Sequence, residues 1–473
     1  VIALLLAACR NLPEGAFGLD FAESTFVPSV TTVTWDGVPG DAALWAVPAD
    51  EYHARDPHPG ERRFEGGGGW RVVSRRPAHD GQDGIPAALL HPGRWFVRAV
   101  VDDGREVASD VVEHEVEDPP DAVFGGLPPE VEGDPAAVGQ GWLVAHQYAT
   151  KGDAEGSVPL ILDPLGRVVW WMRAAPAGRR VIRARPTNDR SALWLLLDGP
   201  GDDDLLRRVA LDGETLEDTP LHDATHDLVE ADDGSVAHLA YSYSEDGAIA
   251  DYPGFPVAAD AVDVVVPGSG EPSRRMFDFL EDYPAAPYVA CGHVQPNGFV
   301  GGAVEWTHGN SLLADPGGDG WWLLARHLDT FVHVGADGGV RWILGGAEAT
   351  LSPTSPGAVF RHGHASHAWR EADGDHLLIF DNRTHDPAPV VSRALELRVD
   401  PDAGTYEEVW SFADPRRRAS GFLGDARRLD NGNTLVDFTP FGEVVVVDRA
   451  GEVRWWMKTE DPLGRVLVEP LAP

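Results

Sequence analysis

Histidines recur in this chain where a hydrophobic strand is about to begin. His226 leads His226-Asp227-Leu228, His308 leads His308-Gly309-Asn310-Ser311-Leu312, and His367 leads His367-Ala368-Trp369. Imidazole titrates near neutrality and serves as nucleophile, acid, base or metal ligand. An isolated histidine at a strand start is usually a satisfied hydrogen-bonding residue, but three at equivalent points of a repeat point to a site. The segment that ends at His367 reads Arg361-His362-Gly363-His364-Ala365-Ser366-His367, where strand alternation puts His362 and His364 on one face, a spacing open to a divalent ion.

The elements that must position these groups come in two repeated phrases. One is a strand, a turn with Asp and Gly, then Val and Trp: Ile161 to Trp170, Val334 to Trp342 and Val447 to Trp455, with looser copies at Ala210 to Leu216 and Val399 to Trp410. Asp-Gly turns flanked by β-branched residues read as hairpins. The other phrase precedes it: a polar residue or His, a strand, Asp/Asn-Gly, a second strand, beginning at His226, His308, His367 and Asp425. Two hairpins make a four-stranded blade, and about six units of roughly 45 to 60 residues give propeller periodicity. The innermost strand of each blade lines a central channel, so radial repetition would gather His226, His308 and His367 at one mouth.

The expected fold is therefore all-β, a six-bladed β-propeller over 139–473. Before it, residues 20–118 carry short alternating runs at Thr31 to Trp35, Trp70 to Val73 and Gly93 to Val101, which is sandwich patterning. The Pro92-Gly93-Arg94-Trp95-Phe96-Val97-Arg98-Ala99 stretch resembles a late strand of a fibronectin type III or immunoglobulin-like domain. Residues 119–138 read as an acidic, proline-bearing linker. Residues 243–300, rich in Asp, Pro and Tyr, fit the blade template poorly and read as a surface loop or a rim insertion. Trp306, Trp321, Trp322 and Trp369 read as wedges between blades more readily than as a stacking platform.

Composition removes most alternatives. Formal charge is 38 − 76 = −38, which opposes non-specific binding to nucleic acid or anionic lipid. Lys151 and Lys458 are the two lysines, and no P-loop signature occurs. Two cysteines, Cys9 and Cys291, exclude a disulfide scaffold, a four-cysteine zinc site and an iron–sulfur cluster. The opening Val1-Ile2-Ala3-Leu4-Leu5-Leu6-Ala7-Ala8-Cys9 resembles a bacterial lipobox, so residues 1–19 read as a signal and tether. The expectation is an exported, membrane-anchored lipoprotein held only by a lipid on Cys9.

Glu305-Trp306-Thr307-His308-Gly309-Asn310-Ser311-Leu312 followed by Leu324-Ala325-Arg326-His327 resembles the bacterial arylsulfate sulfotransferase (arylsulfotransferase) family. So do Trp342-Ile343-Leu344-Gly345-Gly346, Phe380-Asp381-Asn382 after His367, and Arg428 to Leu435. The resemblance covers about 140 to 460 and implies a six-bladed propeller behind a β-sandwich. It implies transfer of a sulfuryl group from an aryl sulfate to a phenol through a sulfohistidine, without nucleotide donor, cofactor or metal. Carried over by motif, His308, Asn310, Arg326 and His226 fall on active-site positions and His367 on the nucleophile, with His364 and His362 as alternatives for that role. A neutral imidazole nucleophile implies activity falling below about pH 6.5, and lower beside a cation such as Arg326. Two other readings stay open: a non-catalytic propeller that binds a ligand or partner, and a metal-dependent hydrolase on the same scaffold.

Overall fold

The computed structural model describes residues 17–471 except 24–29, 36–40, 54–57, 62–63, 65–68, 77–83, 103–105, 120–122, 125–126, 148–156, 173–178, 200–202, 213–215, 246–248, 250, 285–290 and 388. Cys9 and its apolar leader lie outside the described residues. Among the described residues no helix is long and apolar enough to cross a membrane.

The repeated phrases form the hairpins their turns dictate. Pro159–Leu162 pairs antiparallel with Val168–Trp171, Thr330–Val334 with Val340–Gly345, and Glu443–Val447 with Val453–Lys458. At each turn an aspartate side chain accepts from backbone N–H groups beyond it. Asp163 takes Leu165 and Arg167, Asp337 takes Gly339, and Asp448 takes Ala450 and Glu452. Such a carboxylate pre-forms the bend that the following positive-φ glycine completes.

Among the described residues, 130–469 form six sheets, antiparallel except where Val304–Glu305 runs parallel to Val257–Ala258 and Ser352–Pro353 parallel to Thr405–Tyr406. Their inner strands are β1 (Arg180–Pro186), β2 (Ala224–Glu230), β3 (Gly309–Ala314), β4 (Gly363–Glu371), β5 (Asp425–Arg428) and β6 (Leu463–Glu469). Each touches the next in chain order, and β6 touches β1, which closes the ring of a β-propeller. Closure is chemical as well as geometric. The C-terminal β6 is the inner edge of a sheet whose other strands, Trp142–Gln147, Pro159–Leu162 and Val168–Trp171, come first in the ring. Between neighbouring sheets lie apolar layers such as Leu239, Phe277, Trp306, Leu323 and Val332. Burial of Phe277 or Leu323 stabilises by about 1.5–3 kcal/mol each.

The segment that fitted the repeat poorly resolves into two parts. Val257–Val265 and Arg274–Asp278 are the outer strands of the third sheet. The chain then makes an excursion from that sheet and rejoins it at Val304–Glu305, beside Val257–Ala258. Ahead of the ring, Asp20–Glu23, Thr31–Thr34 and Gly84–Ala87 form one sheet, and strands between Asp41 and Val116 form a second. Val33 of the first and Leu44, Trp95 and Val97 of the second share one apolar core.

Five of the six inner strands break register near the same end. The shifts fall at Val181/Arg183 in β1, Thr225/Leu228 in β2, Gly309/Ser311 in β3 and His364/Ser366 in β4, and opposite Val144/His146 in β6. A bulge re-aims the side chains around it. Here it puts His226, Ala365 and Arg465 at φ 40°, 44° and 48°, a left-handed conformation that non-glycine residues seldom adopt.

Candidate active site

The bulged ends surround a cavity of about 980 Å³ lined by His146, His226, His308, Arg326, His364 and Arg465, with Tyr241, Tyr243 and Phe422 among the aromatic contacts. Four of the six sheets supply those six groups, and the ring brings them together from positions 146 to 465. None of Trp306, Trp321, Trp322 and Trp369 lines it; Trp306 and Trp322 are buried in the apolar layers.

His226 and His308 meet edge to face, ring centroids 4.9 Å apart, and His308 stacks on His327 at 4.9 Å. His308 is oriented by a carboxylate: its Nδ1–H donates to Glu305 Oε1 at 2.8 Å. Glu305 in turn accepts from Tyr241 Oη (2.9 Å) and Asn297 Nδ2 (2.8 Å). Burial alone would raise the Glu305 carboxyl, but His308, then His226 and His327, together outweigh burial and hold the group well below the usual carboxylate range. The His308 backbone sits at φ 50°. Asp260 holds the loop around it, accepting from Thr307 Oγ1 and from the Gly309 amide. Burial pushes Asp260 up to about 6 despite those two hydrogen bonds.

Arg326 opens a short 3-10 turn after the second strand of the fourth sheet. One guanidinium nitrogen donates to the Gly421 carbonyl at 3.0 Å, and its Nε is buried with no hydrogen-bond partner. Burial lowers its pKa to about 10, countered by Cys291 and Glu305, so it remains a cation at neutral pH.

His364 is buried at the start of β4. Its Nδ1–H donates to the Gly424 carbonyl at 2.7 Å, which fixes the tautomer and leaves Nε2 with its lone pair free. Burial first, then Arg465, push its pKa well below the ordinary histidine value, so the ring is neutral over the whole physiological range.

His367 does not join the set. It is the fifth residue of β4, because that strand starts at Gly363 and not at His367. Its Nδ1 accepts from the Arg428 amide at 3.2 Å and its ring packs on Trp369. Nor does Asn310 line the cavity. It is the bulged residue of β3, fully buried, and bridges β3 to β4: Nδ2 donates to Gly363 O at 3.3 Å and Oδ1 accepts from Ala365 N at 3.4 Å. The alternation argument for His362 also fails. His362 lies just before β4 at φ 58°, so it points toward Cys291 (3.6 Å) and the rings of His293 and His385, while His364 faces the cavity.

Two cavity residues escaped the sequence reading. Arg465, on the closing strand β6, forms an ion pair with Asp227, its Nη1 2.9 Å from Oδ2. Asp227 is also held by Arg183 Nε at 2.9 Å, and despite burial these arginines keep it well below the usual carboxylate range. His146 lies opposite Gly464, where a Cβ would come within 2.4 Å of its ring nitrogen. Counting blades was the available signal. Four copies of the inner phrase in a ring of about six leave strands to be found in the first and last parts of the chain, where Leu463-Gly464-Arg465-Val466 is a strand with a polar break.

Residues 142–443 match the model of the family described as Arylsulfotransferase (ASST). No curated protein matches the chain. Among solved structures, the periplasmic gluconolactonase PpgL of Pseudomonas aeruginosa is 15% identical over 70% of this chain and 99% of its own, with a TM-score of 0.39. TolB of Acinetobacter baumannii is 12% identical over 80% of each chain, TM-score 0.39. A streptogramin B lyase is 9% identical over 72% of this chain and 98% of its own, TM-score 0.40.

Proposed function

The chain belongs to the arylsulfotransferase family, and from that premise we propose that it moves a sulfuryl group from an aryl sulfate ester to a phenolic acceptor through a covalent sulfohistidine on His364, with no nucleotide donor. Aryl sulfotransfer in general follows from the family. The choice of His364 rests on one observation: its Nδ1–H is committed to Gly424 while its ring lines the cavity.

In the first half-reaction His364 Nε2 attacks sulfur in line, the N–S bond forms, and the S–O bond to the aryl group breaks. The electron pair leaves on the aryl oxygen, which takes a proton from His308 Nε2. Glu305 on the opposite nitrogen supports the imidazolium that donates it. Attack also turns the His364 ring into an N-sulfo imidazolium, whose remaining N–H points at the Gly424 carbonyl. The sulfuryl oxygens carry charge in a loose transition state, as in phosphoryl transfer. Arg326 and Arg465 neutralise them, Arg326 with a buried Nε awaiting an acceptor. In the second half-reaction His308 takes the proton of the acceptor phenol, the phenol oxygen attacks sulfur, and the N–S electron pair returns to His364. Tyr241, Tyr243 and Phe422 offer aromatic surface for donor and acceptor rings.

The test is release of nitrophenol from 4-nitrophenyl sulfate with and without phenol, combined with mass spectrometry of protein exposed to donor alone. Transfer requires acceptor-dependent turnover and one sulfuryl group added at His364. Turnover independent of acceptor would mean hydrolysis, and the absence of both release and adduct would leave a binding propeller.

A further inference from the structure

Cys291, His293, His362 and His385 converge outside the sulfuryl cavity, and we propose that they form a zinc-type metal site that pins the excursion of the third sheet to the rim of the fifth. Their four ligand atoms, one thiol sulfur and three imidazole nitrogens, all lie within 4.8 Å of one another. A tetrahedral ion with bonds of about 2.0 Å to nitrogen and 2.3 Å to sulfur needs S···N edges of about 3.6 Å and N···N edges of about 3.3 Å. Cys291 Sγ is already 3.3 Å from His293 Nδ1 and 3.6 Å from His362 Nε2.

The surrounding hydrogen bonds select the ligating nitrogens. His385 donates Nδ1–H to Asp329, 2.9 Å from both carboxylate oxygens, while its Nε2 is buried with no hydrogen-bond partner. His362 has its Nδ1 bonded to the Thr384 hydroxyl, leaving Nε2 toward Cys291. A carboxylate or hydroxyl on the far nitrogen is how ligating imidazoles are oriented and made more basic. One thiolate with three imidazoles suits Zn²⁺ and leaves no open position, so the role is structural. The sequence separations support that role, because Cys291 and His293 come from the excursion whereas His362 and His385 flank the first hairpin of the fifth sheet. The same excursion carries Asn297, which donates to Glu305 at 2.8 Å behind His308.

The full chain, reduced and freed of metal by chelation, should bind one Co²⁺ with a near-ultraviolet thiolate-to-cobalt charge-transfer band and tetrahedral visible bands, both lost on adding Zn²⁺. Cys291→Ser should abolish the charge-transfer band. His293→Asn, at an exposed side chain, should leave the metal-free fold unchanged by circular dichroism and weaken Co²⁺ at least tenfold. Folded protein that takes up no Co²⁺, a band that survives Cys291→Ser, or unchanged affinity in His293→Asn would each overturn the site. The readout is spectroscopic, so it is independent of sulfuryl transfer.

Discussion

The Nδ1–H of His364 ends on the carbonyl oxygen of Gly424, 2.7 Å away, and the backbone that presents this carbonyl tolerates only glycine. Gly424 sits at φ 105°, and a Cβ there would lie 2.3 Å from the Phe380 ring. Phe380 is the partner of His364 across the first hairpin of the fifth sheet, so one aromatic ring sets both ends of the hydrogen bond. In the proposed sulfohistidine the His364 ring is cationic, which would make this bond charge-assisted, worth about 1.5–3 kcal/mol. Gly424→Ala should therefore lower kcat about 10- to 100-fold with a smaller change in KM for the donor. Steady-state kinetics beside a thermal melt would check this; a lost melting transition with unchanged kcat in the residual folded protein would contradict it.

His364→Ala should remove turnover and the mass adduct together. His367→Ala should keep the adduct and turnover while losing stability, since that ring packs on Trp369 and accepts the Arg428 amide. Mass spectrometry of the two variants after donor alone decides between them, and an adduct retained in His364→Ala would return the role to a neighbour.

Arg326→Ala removes a buried cation from the cavity in which sulfuryl transfer is proposed. By the scale of oxyanion-hole deletions the loss is about 2.7–4 kcal/mol, on the order of 10²–10³ in kcat. Arg326→Lys should recover little, because an ammonium cannot place two donors in one plane. Full recovery by lysine, measured as kcat/KM for 4-nitrophenyl sulfate, would show that charge alone suffices.

Much of the fold was legible because its cause is local. Asp-Gly turns and alternating strands mark the hairpins at Asp163, Asp337 and Asp448, and hairpins repeated at regular spacing close into a ring. His226 and His308 were legible for the same reason, each lying at the start of a recognisable strand, whereas Arg326 was reached only through the motif resemblance. The choice among His362, His364 and His367 was not. It depends on where β4 starts and on the bulge at Ala365, and a one-residue shift of register reverses which face each side chain occupies. Asn310 was read as a donor to substrate for want of the same information, since only the packing of β3 against β4 reveals that both ends of its amide are engaged. Arg465 and His146 come together through the pairing of the ring's first and last strands, a contact with no local signature.

Asn310→Ala removes the side-chain hydrogen bonds to the Gly363 carbonyl and from the Ala365 amide inside the ring, at about 0.5–1.5 kcal/mol each. Because those two atoms flank His364, the substitution should both destabilise the protein and slow formation of the sulfohistidine more than it weakens donor binding. Denaturant melts with single-turnover nitrophenol release measure both; a stability loss with an unaltered single-turnover rate would make Asn310 purely structural.

The acid response should divide into two parts. His364 has a depressed pKa through burial and Arg465, so the attacking ring is neutral well below pH 6.5, and the single-turnover burst should persist to pH 5 in protein that is still folded. Stability behaves differently. His146, only 3% exposed, is pushed down to about 3, chiefly by burial and then by Arg183 and Arg465, whereas in the unfolded chain it titrates near 6.5. Below that value the unfolded state binds a proton that the native state refuses, so stability present above pH ~6.5 falls as pH drops through the window from 6.5 toward 3. At about 1.36 kcal/mol per unit, His146 alone withdraws roughly 2 kcal/mol by pH 5, and the buried rings of His364 and His327, also shifted down, act in the same direction. Melting temperatures should decline steeply between pH 7 and 5 while the burst rate per folded molecule holds. A burst rate that instead halves near pH 6.5 with an unchanged melt would mean that the nucleophile titrates normally, and would overturn its assignment to the buried His364.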